Sequence, residues 1–583
     1  MMFCICTAGH VNHGKTSLVK SLTGLDTDRL VEEKKRGLSI ELGYAKYQID
    51  KNLYASIIDT PGHENFIRNM ISGAHAVDQV ILVVAANEGI MPQTKEHLEI
   101  IKLLSITNVI FVISKTDLSS LEEISQVKKD INNIISQYSF IKNEILEISN
   151  IEKKGIDRLK KIIRESIKNS KKKLIQAGRF SVDRVFSLKG IGTIATGTLI
   201  GNSISNKTSL EILPNSRKLK IKKIQAFNED LDIISPGSRV SINIQNFSTD
   251  EIRKGDIIGE KNFILESKLV YVKINLLKEI KNFSEIIFHT GSSKTIGKIK
   301  LINNTNIARI NLNKTIAFIV GDKFIIRNNN GTIGGGEIIF YKKISLEEKL
   351  GSAIINDSKK IEFFLSIYKT ISLENLVKFL GKKKDEIIKI LNNSNEYIIF
   401  EKESYVISSK YLIEEAKLFM KEVEKYHQNN PLGKGLPLSS IYEKKEKKLI
   451  INTLLRKKLI KIKDGFVQKI NFTTKLNSDQ KSKINNYLNL INVKNYMPPT
   501  DNHLESELMN YLIDHQVIVR CSKEIYYITD SYNKLKNEII KINKINKKIN
   551  INLIRTNLGM SRKYCLAILD RLEEEKLINR TRD

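Results

Sequence analysis

Gly9, Gly14, Lys15 and Thr16 stand out first, set as Gly-x-x-x-x-Gly-Lys-Thr within GHVNHGKTSL. The glycines let the backbone turn its N–H groups inward around phosphate oxygens. Lys15 can reach the β- and γ-phosphates of a nucleotide, and the Thr16 hydroxyl can ligate Mg²⁺. Such a loop needs a buried strand before it and a helix after it. MFCIC reads as that strand and TSLVKSL as that helix, whose N-terminus adds partial positive charge.

The next carboxylates narrow the ligand. Asp59 ends an apolar strand in ASIIDTPGHENF, where a carboxylate holds Mg²⁺, usually through water, in P-loop enzymes. VILVVAANEG and NVIFVISKTD read as two further buried strands. Lys115 and Asp117 lie just past the second, where ligands of an open parallel sheet bind. A carboxylate there accepts from N1–H and the 2-amino group of guanine, and adenine offers neither donor. The elements that must position these groups are those of an α/β P-loop domain.

Taken together, GHVNHGKTSL, EEKKRGLSIELGYA, DTPGHENF, EGIMPQTKEHLEI and SKTD resemble the translational GTPases of the elongation factor Tu group. The resemblance implies GTP and GDP as ligands, with Mg²⁺, and hydrolysis stimulated by the ribosome. It implies a nucleotide cradle of Gly9, Asn12, His13, Gly14, Lys15, Thr16 and Ser17, with a backbone contact from Gly62. By the same likeness Ser114, Lys115, Asp117 and Ser149 serve the guanine, and His63 positions the attacking water. Mg²⁺ falls to Thr16, Ser39 and, through water, Asp59. Where the family has Asp, Thr and Asn, this chain has Asn12, Ser39 and Ser114. No essential atom type is lost, so binding is expected to survive and hydrolysis to be slow without a ribosome.

Beyond the first domain the pattern changes. Residues 178–260 alternate in short runs punctuated by Gly, Asn and Pro, the signature of a small β-barrel, and residues 263–345 repeat the style. VDRVFSLKGIGTIATGT and PGSRVSINI resemble the second domain of the selenocysteine-specific elongation factors. In that family a cationic pocket faces the selenol of the aminoacyl group. The matching positions are Asp183, Arg184 and Arg239. Guanidinium groups would favour a selenol, ionised near neutral pH, over a serine hydroxyl. Surface ion pairs of a barrel are the plainer reading of the same residues.

The chain then continues with a weak repeat. EYIIFEKESYVIS, KLIKIKDGFVQKI and VIVRCSKEIYYIT each read as strand, turn and strand, and KLINR begins a fourth copy. Helical stretches precede each, so the tail reads as a tandem winged-helix array. In the last copy Gly559 marks a turn and Ser561 fits a helix N-cap, with Arg562 and Lys563 following. Cations at a helix start are disfavoured unless a phosphate lies nearby, which points to RNA backbone; solvated charges behind a capping serine are the alternative. This end again resembles the selenocysteine factors, whose terminal winged helices grip an mRNA hairpin.

The expected fold is therefore multidomain: an α/β P-loop GTPase domain (1–172), two β-barrel domains (175–262 and 263–345) and four winged helices (346–410, 411–472, 473–530 and 531–583). A formal charge of +30 over 583 residues fits a polyanionic partner. Four cysteines without disulfide or zinc spacing fit a reducing cytosol, and no apolar stretch approaches a membrane span. A cytoplasmic monomer is expected. Its partners, by the resemblance, are selenocysteinyl-tRNA, a selenoprotein mRNA hairpin and the ribosome, with delivery at UGA codons. A diverged general elongation factor with a basic tail, and an RNA-binding adapter with a degraded GTPase, remain as rival readings.

Overall fold

The computed structural model describes residues 2–28, 42–50, 53–61, 77–137, 144–169, 177–227, 229–260, 263–344, 347–353, 356–400, 404–441, 445–546 and 549–579. The chain forms two compact units, Met1–Ser408 and Ser409–Asp583.

The first unit begins with a six-stranded sheet of β1 (Met2–Ala8), β2 (Gly43–Asp50), β3 (Leu53–Asp59), β4 (Gln79–Ala85), β5 (Val109–Ser114) and β6 (Ile145–Glu147), in the order β2-β3-β1-β4-β5-β6. All neighbours are parallel except β2 against β3. Every residue of β4 and β5 is buried because helices cover both faces. Helices α1 (Lys15–Thr23) and α4 (Ile156–Asn169) cover one face, and α2 (Pro92–Leu103) and α3 (Leu121–Gln137) cover the other. That double burial is why these strands read as unbroken apolar runs. β2 instead alternates, with Ala45 and Tyr47 inward, as an antiparallel edge strand does.

Residues 179–259 form short antiparallel strands in three sheets around Phe180, Ile212, Ile224, Val240, Ile242 and Ile258. Six longer strands between Leu265 and Phe340 close into a barrel. A buried ion pair joins the two, with Arg179 donating to both oxygens of Asp322. The barrel's last strand, Gly331–Phe340, carries Phe340 into a core shared with the first winged helix. That module comprises the helices Asp357–Tyr368, Leu373–Leu380 and Lys384–Asn392 and the wing Tyr397–Phe400 with Tyr405–Ser408.

The second unit repeats the scheme. Helices Ser409–Asn429 and Lys445–Arg456 precede the wing Ile460–Lys463 with Phe466–Lys469. Helices Ser478–Ile491 and Ser506–Asp514 precede Ile518–Arg520 with Tyr526–Ile528. Wings of two strands are the sequence expectation. In the first two copies a short third strand, Thr370–Ser372 or Leu436–Pro437, covers an edge of the hairpin. Covering removes unpaired N–H and C=O groups from solvent. The last copy has helices Thr529–Asn546, Ile551–Leu558 and Arg562–Glu574, sharing a core with the preceding wing through Tyr527, Tyr532, Ile568 and Leu572. Its expected wing begins at Lys576, where residues 576–579 form no strand and residues 580–583 lie outside the described residues.

Candidate functional site

The loop between β1 and α1 is built by backbone demands. Gly9 has φ +131°, and a Cβ there would lie 2.2 Å from the Val83 carbonyl oxygen, so only glycine fits. Gly14, at φ +84°, is the N-cap of α1. Asn12 has φ 60°, a left-handed conformation that asparagine tolerates better than most residues. Lys15 is buried, and its Nζ donates to the carbonyls of Gly9 at 3.1 Å and His10 at 2.6 Å. Burial pulls its ammonium down to about 8, partly opposed by the Asp59 carboxylate.

Asp59 gathers hydroxyls at the end of β3. Thr16 Oγ1 and Thr27 Oγ1 each donate to its Oδ2 at 2.7 Å, and Thr7 Oγ1 donates to Oδ1 at 2.8 Å. A buried carboxylate among hydroxyls is an all-oxygen donor set suited to a hard cation such as Mg²⁺. The structure thus brings Lys15, Thr16 and Asp59 together as expected from their spacing. Thr7 and Thr27 belong to the same cluster and no motif marks them, although a threonine inside an apolar strand is a faint signal at position 7.

On the base side, Ser114 is buried and its Oγ donates to the His13 carbonyl at 2.6 Å. The shorter side chain therefore still ties the end of β5 to the phosphate loop. Lys115, at φ 56°, pairs with Glu88 at 2.9 Å, and Asp117 lies in the short 3₁₀ turn Thr116–Leu118. His13 is buried with Nδ1 3.3 Å from the Val83 oxygen, and burial lowers its imidazole to about 4, so it is neutral at pH 7. Ser149 is buried, and its Oγ accepts from the Glu152 N–H at 3.1 Å. Ser17 is exposed on the first turn of α1. Asn150, unmarked by any motif, would stand 3.6 Å from a Cβ on Gly14. Ser39, Gly62 and His63 lie outside the described residues.

A second cluster spans the six-stranded sheet and the domain after it. Arg239 forks onto Asp183, with Nη2 2.8 Å from Oδ1 and Nη1 on Oδ2, and Nη2 also donates to Thr196 Oγ1 at 2.9 Å. Tyr44 of β2 donates its hydroxyl to Asp183 Oδ2 at 3.0 Å, and the Arg239 guanidinium lies 3.7 Å from its ring centre. Burial, with the Asp183 carboxylate adding to it, pushes the Tyr44 phenol well above its ordinary value. Arg184 is exposed, with its guanidinium 5.7 Å from the Phe186 ring centre, and it pairs across the sheet with Thr196. Asp183 and Arg239 therefore meet, and Arg184 lies beside them at the strand position opposite Thr196. Tyr44 and Thr196 are additional members that sequence reasoning passes over: Tyr44 comes from a strand remote in the chain, and Thr196 meets Asp183 once the hairpin of Arg184–Leu188 with Gly192–Thr198 has formed.

At the tail, Ser561 takes the N-cap position with extended backbone, φ −72° and ψ 157°, but its side chain makes no capping hydrogen bond. Asn550 does cap its helix, accepting from the Leu553 N–H at 3.0 Å. Arg562 is exposed. Lys563 Nζ already lies 2.7 Å from Glu524 and 3.3 Å from Thr500 Oγ1. Among the described residues no helix is long and apolar enough to cross a membrane, and Cys4, Cys6, Cys521 and Cys565 form no disulfide.

Comparison with known proteins follows the same geography. Residues 2–169 match the family model for the elongation factor Tu GTP binding domain. Residues 267–343 match that for the beta-barrel domain of the selenocysteine-specific elongation factor, and residues 541–583 that for the elongation factor SelB winged helix. The selenocysteine-specific elongation factor of Desulfomicrobium baculatum is 27% identical over 99% of this chain and 98% of that protein. That of Haemophilus influenzae is 34% identical over 56% of this chain and 53% of its own length. Among solved structures, a bacterial selenocysteine-specific elongation factor EF-Sec superposes with TM-score 0.75 at 24% identity, covering 99% of this chain and 98% of that one, a likeness of fold. The elongation factor SelB of Methanococcus maripaludis, solved with the GTP analogue GPPNHP, gives TM-score 0.52 at 25% identity over 59% of this chain and 81% of that one. This chain is a translational GTPase that carries the GTP-binding domain of the elongation factor Tu group and the barrel and winged helix of the selenocysteine-specific elongation factors.

Proposed function

We propose that the chain, with GTP bound, carries selenocysteinyl-tRNA to the ribosome at UGA codons marked by an mRNA hairpin. In this reading the loop Gly9–Ser17 cradles the phosphates, Lys115, Asp117 and Ser149 serve the guanine, and Ser114 keeps that loop against the phosphate loop. Thr16, Ser39 and, through water, Asp59 would hold Mg²⁺, which neutralises phosphate charge. Gly62 and His63 act from switch II, and hydrolysis releases the tRNA. Ser561, Arg562 and Lys563 face the hairpin backbone. A monomer in the cytoplasm is the state this function requires.

The observation that carries the reading is the cluster of Asp183, Arg239, Thr196 and Tyr44, with Arg184 beside it. Arg239 is oriented by a fork onto Asp183 and by the Tyr44 ring, so it is preorganised and nearly neutralised. Arg184 is an exposed residue beside that cluster, opposite Thr196 on the neighbouring strand. An ionised selenol is attracted to such a guanidinium and a serine hydroxyl is not. Tyr44 links the cluster to the edge strand of the GTPase sheet, which supports control of the pocket by the nucleotide.

The test is binding of selenocysteinyl-tRNA and seryl-tRNA, on the same tRNA body and with GTP, to wild type and to Arg184→Ala. Wild type should prefer the selenol by more than about tenfold, or roughly 1.4 kcal/mol, and the variant should lose the preference. Equal binding of both tRNAs by wild type would remove the selenocysteine reading and favour a general tRNA carrier.

A further inference from the structure

Helix α2 touches two distant parts of the first unit with neighbouring residues. Glu96 faces the closed barrel: its Oε1 accepts from Arg327 Nη2 at 3.1 Å and from Thr332 Oγ1 at 2.8 Å. His97 faces the phosphate loop. It is fully buried, and its Nδ1 accepts from the Gly9 N–H at 3.0 Å. Its Nε2 finds no hydrogen-bond partner among the described residues. Burial, with the Lys15 charge adding to it, lowers the imidazole to about 3, so at neutral pH Nδ1 keeps its lone pair for Gly9. Gln93, four residues earlier and on the same face, reaches the next part of the loop, with Oε1 3.5 Å from the Val11 N–H. The helix is seated on the barrel by apolar packing too, since Ile325 of the barrel joins the core containing Leu98 and Leu103.

A fully buried histidine with one orphaned nitrogen is costly to keep, because each unpaired polar atom forgoes its hydration. What His97 supplies in return is an acceptor for the amide of the one loop residue whose backbone admits no side chain. We propose that His97 is a positioning residue of the GTPase site: it fixes the phosphate loop through Gly9, and with Glu96 it makes the loop's position depend on how α2 sits on the closed barrel. The nucleotide pocket and the barrel are then read by one rigid helix. This inference rests on the GTPase activity alone and is independent of which tRNA the chain carries.

The experiment uses the full chain. His97→Phe keeps a ring of similar size and removes the acceptor, whereas His97→Asn restores an acceptor near the place of Nδ1. Release of a fluorescent GDP, kcat and KM for GTP, and thermal stability are measured for both. Losing one buried acceptor should speed GDP release about tenfold in His97→Phe, and His97→Asn should recover most of that change. A packing role alone would lower stability in both variants without this rescue. Arg327→Ala, on the barrel, should shift GDP release in the same direction, and its effect should shrink in a His97→Phe background. Unchanged release in His97→Phe, or no rescue by Asn, overturns the proposal. If neither His97 variant folds, Arg327→Ala decides it, and an unaltered release rate there overturns it.

Discussion

At the scale of single residues, the most consequential perturbation is at Lys15. Burial lowers its ammonium to about 8, and its Nζ donates to the carbonyls of Gly9 and His10. A bound triphosphate favours the charged form. Nucleotide binding should therefore take up a proton once the pH exceeds the value of the empty site. GTP affinity should be flat below neutrality and fall by up to about tenfold per unit as pH rises past about 8. The sign for stability is opposite: the folded empty domain binds fewer protons than the unfolded chain between Lys15's two values, so its stability rises with pH through that window. Calorimetry in buffers of different ionisation enthalpy checks the uptake. A binding enthalpy independent of buffer on the alkaline side would show that Lys15 does not titrate there. Lys15, Thr16 and Asp59 were legible because each sits at a fixed offset from a strand end. Thr27 and Tyr44 were not, because Thr27 reaches Asp59 from the irregular segment after α1 and Tyr44 reaches Asp183 from another domain, contacts that exist only once the elements have packed.

At the scale of elements, the notable construction is the joint between the closed barrel and the first winged helix. Phe340 at the end of the last barrel strand stacks on Phe364 at 5.0 Å and meets Phe379 edge-on at 5.4 Å. Tyr271 belongs to the same core, and its hydroxyl donates to Glu347 at 2.8 Å. Glu347 also accepts from Arg309 at 2.6 Å, and these partners hold its carboxyl below the ordinary range against the opposing effect of burial. Phe364→Ala should cost about 3 to 5 kcal/mol, as large-to-small changes of buried aromatics do. Because the core is shared, amide exchange should quicken in the strand Gly331–Phe340 as well as in the helix Leu373–Leu380. Faster exchange confined to the winged helix would show that the two modules are energetically separate. Sequence pattern reveals the switch from alternation to helical period near residue 345, since that is a local property. It does not reveal that Phe340 and Phe364 face one another, which depends on how two completed elements pack.

At the scale of the whole molecule, charge and compactness point to a division of labour. Met1–Ser408 holds the nucleotide loop and the arginine cluster, and Ser409–Asp583 holds the terminal winged helices. A tail that grips a message raises the local concentration of a bound carrier without improving any contact at the codon. Such a grip is largely electrostatic, and each neutralised phosphate of single-stranded RNA adds about −0.7 to the slope of log K against log salt. The structure separates two cations that are adjacent in sequence. Arg562 opens a helix whose N-cap serine makes no side-chain bond, while Lys563 is held 2.7 Å from Glu524. A lysine engaged by a carboxylate must give up that partner to meet a phosphate. Arg562→Ala should therefore flatten the salt dependence of hairpin binding by about 0.7 to 0.9, and Lys563→Ala should flatten it less. Glu524→Gln should strengthen binding at low salt by releasing Lys563. Filter binding or fluorescence anisotropy across a salt series, on the intact chain, measures all three. Equal slopes for wild type and Arg562→Ala would move the RNA contact away from this helix and leave the excess charge of the tail as a diffuse attraction rather than a docking face.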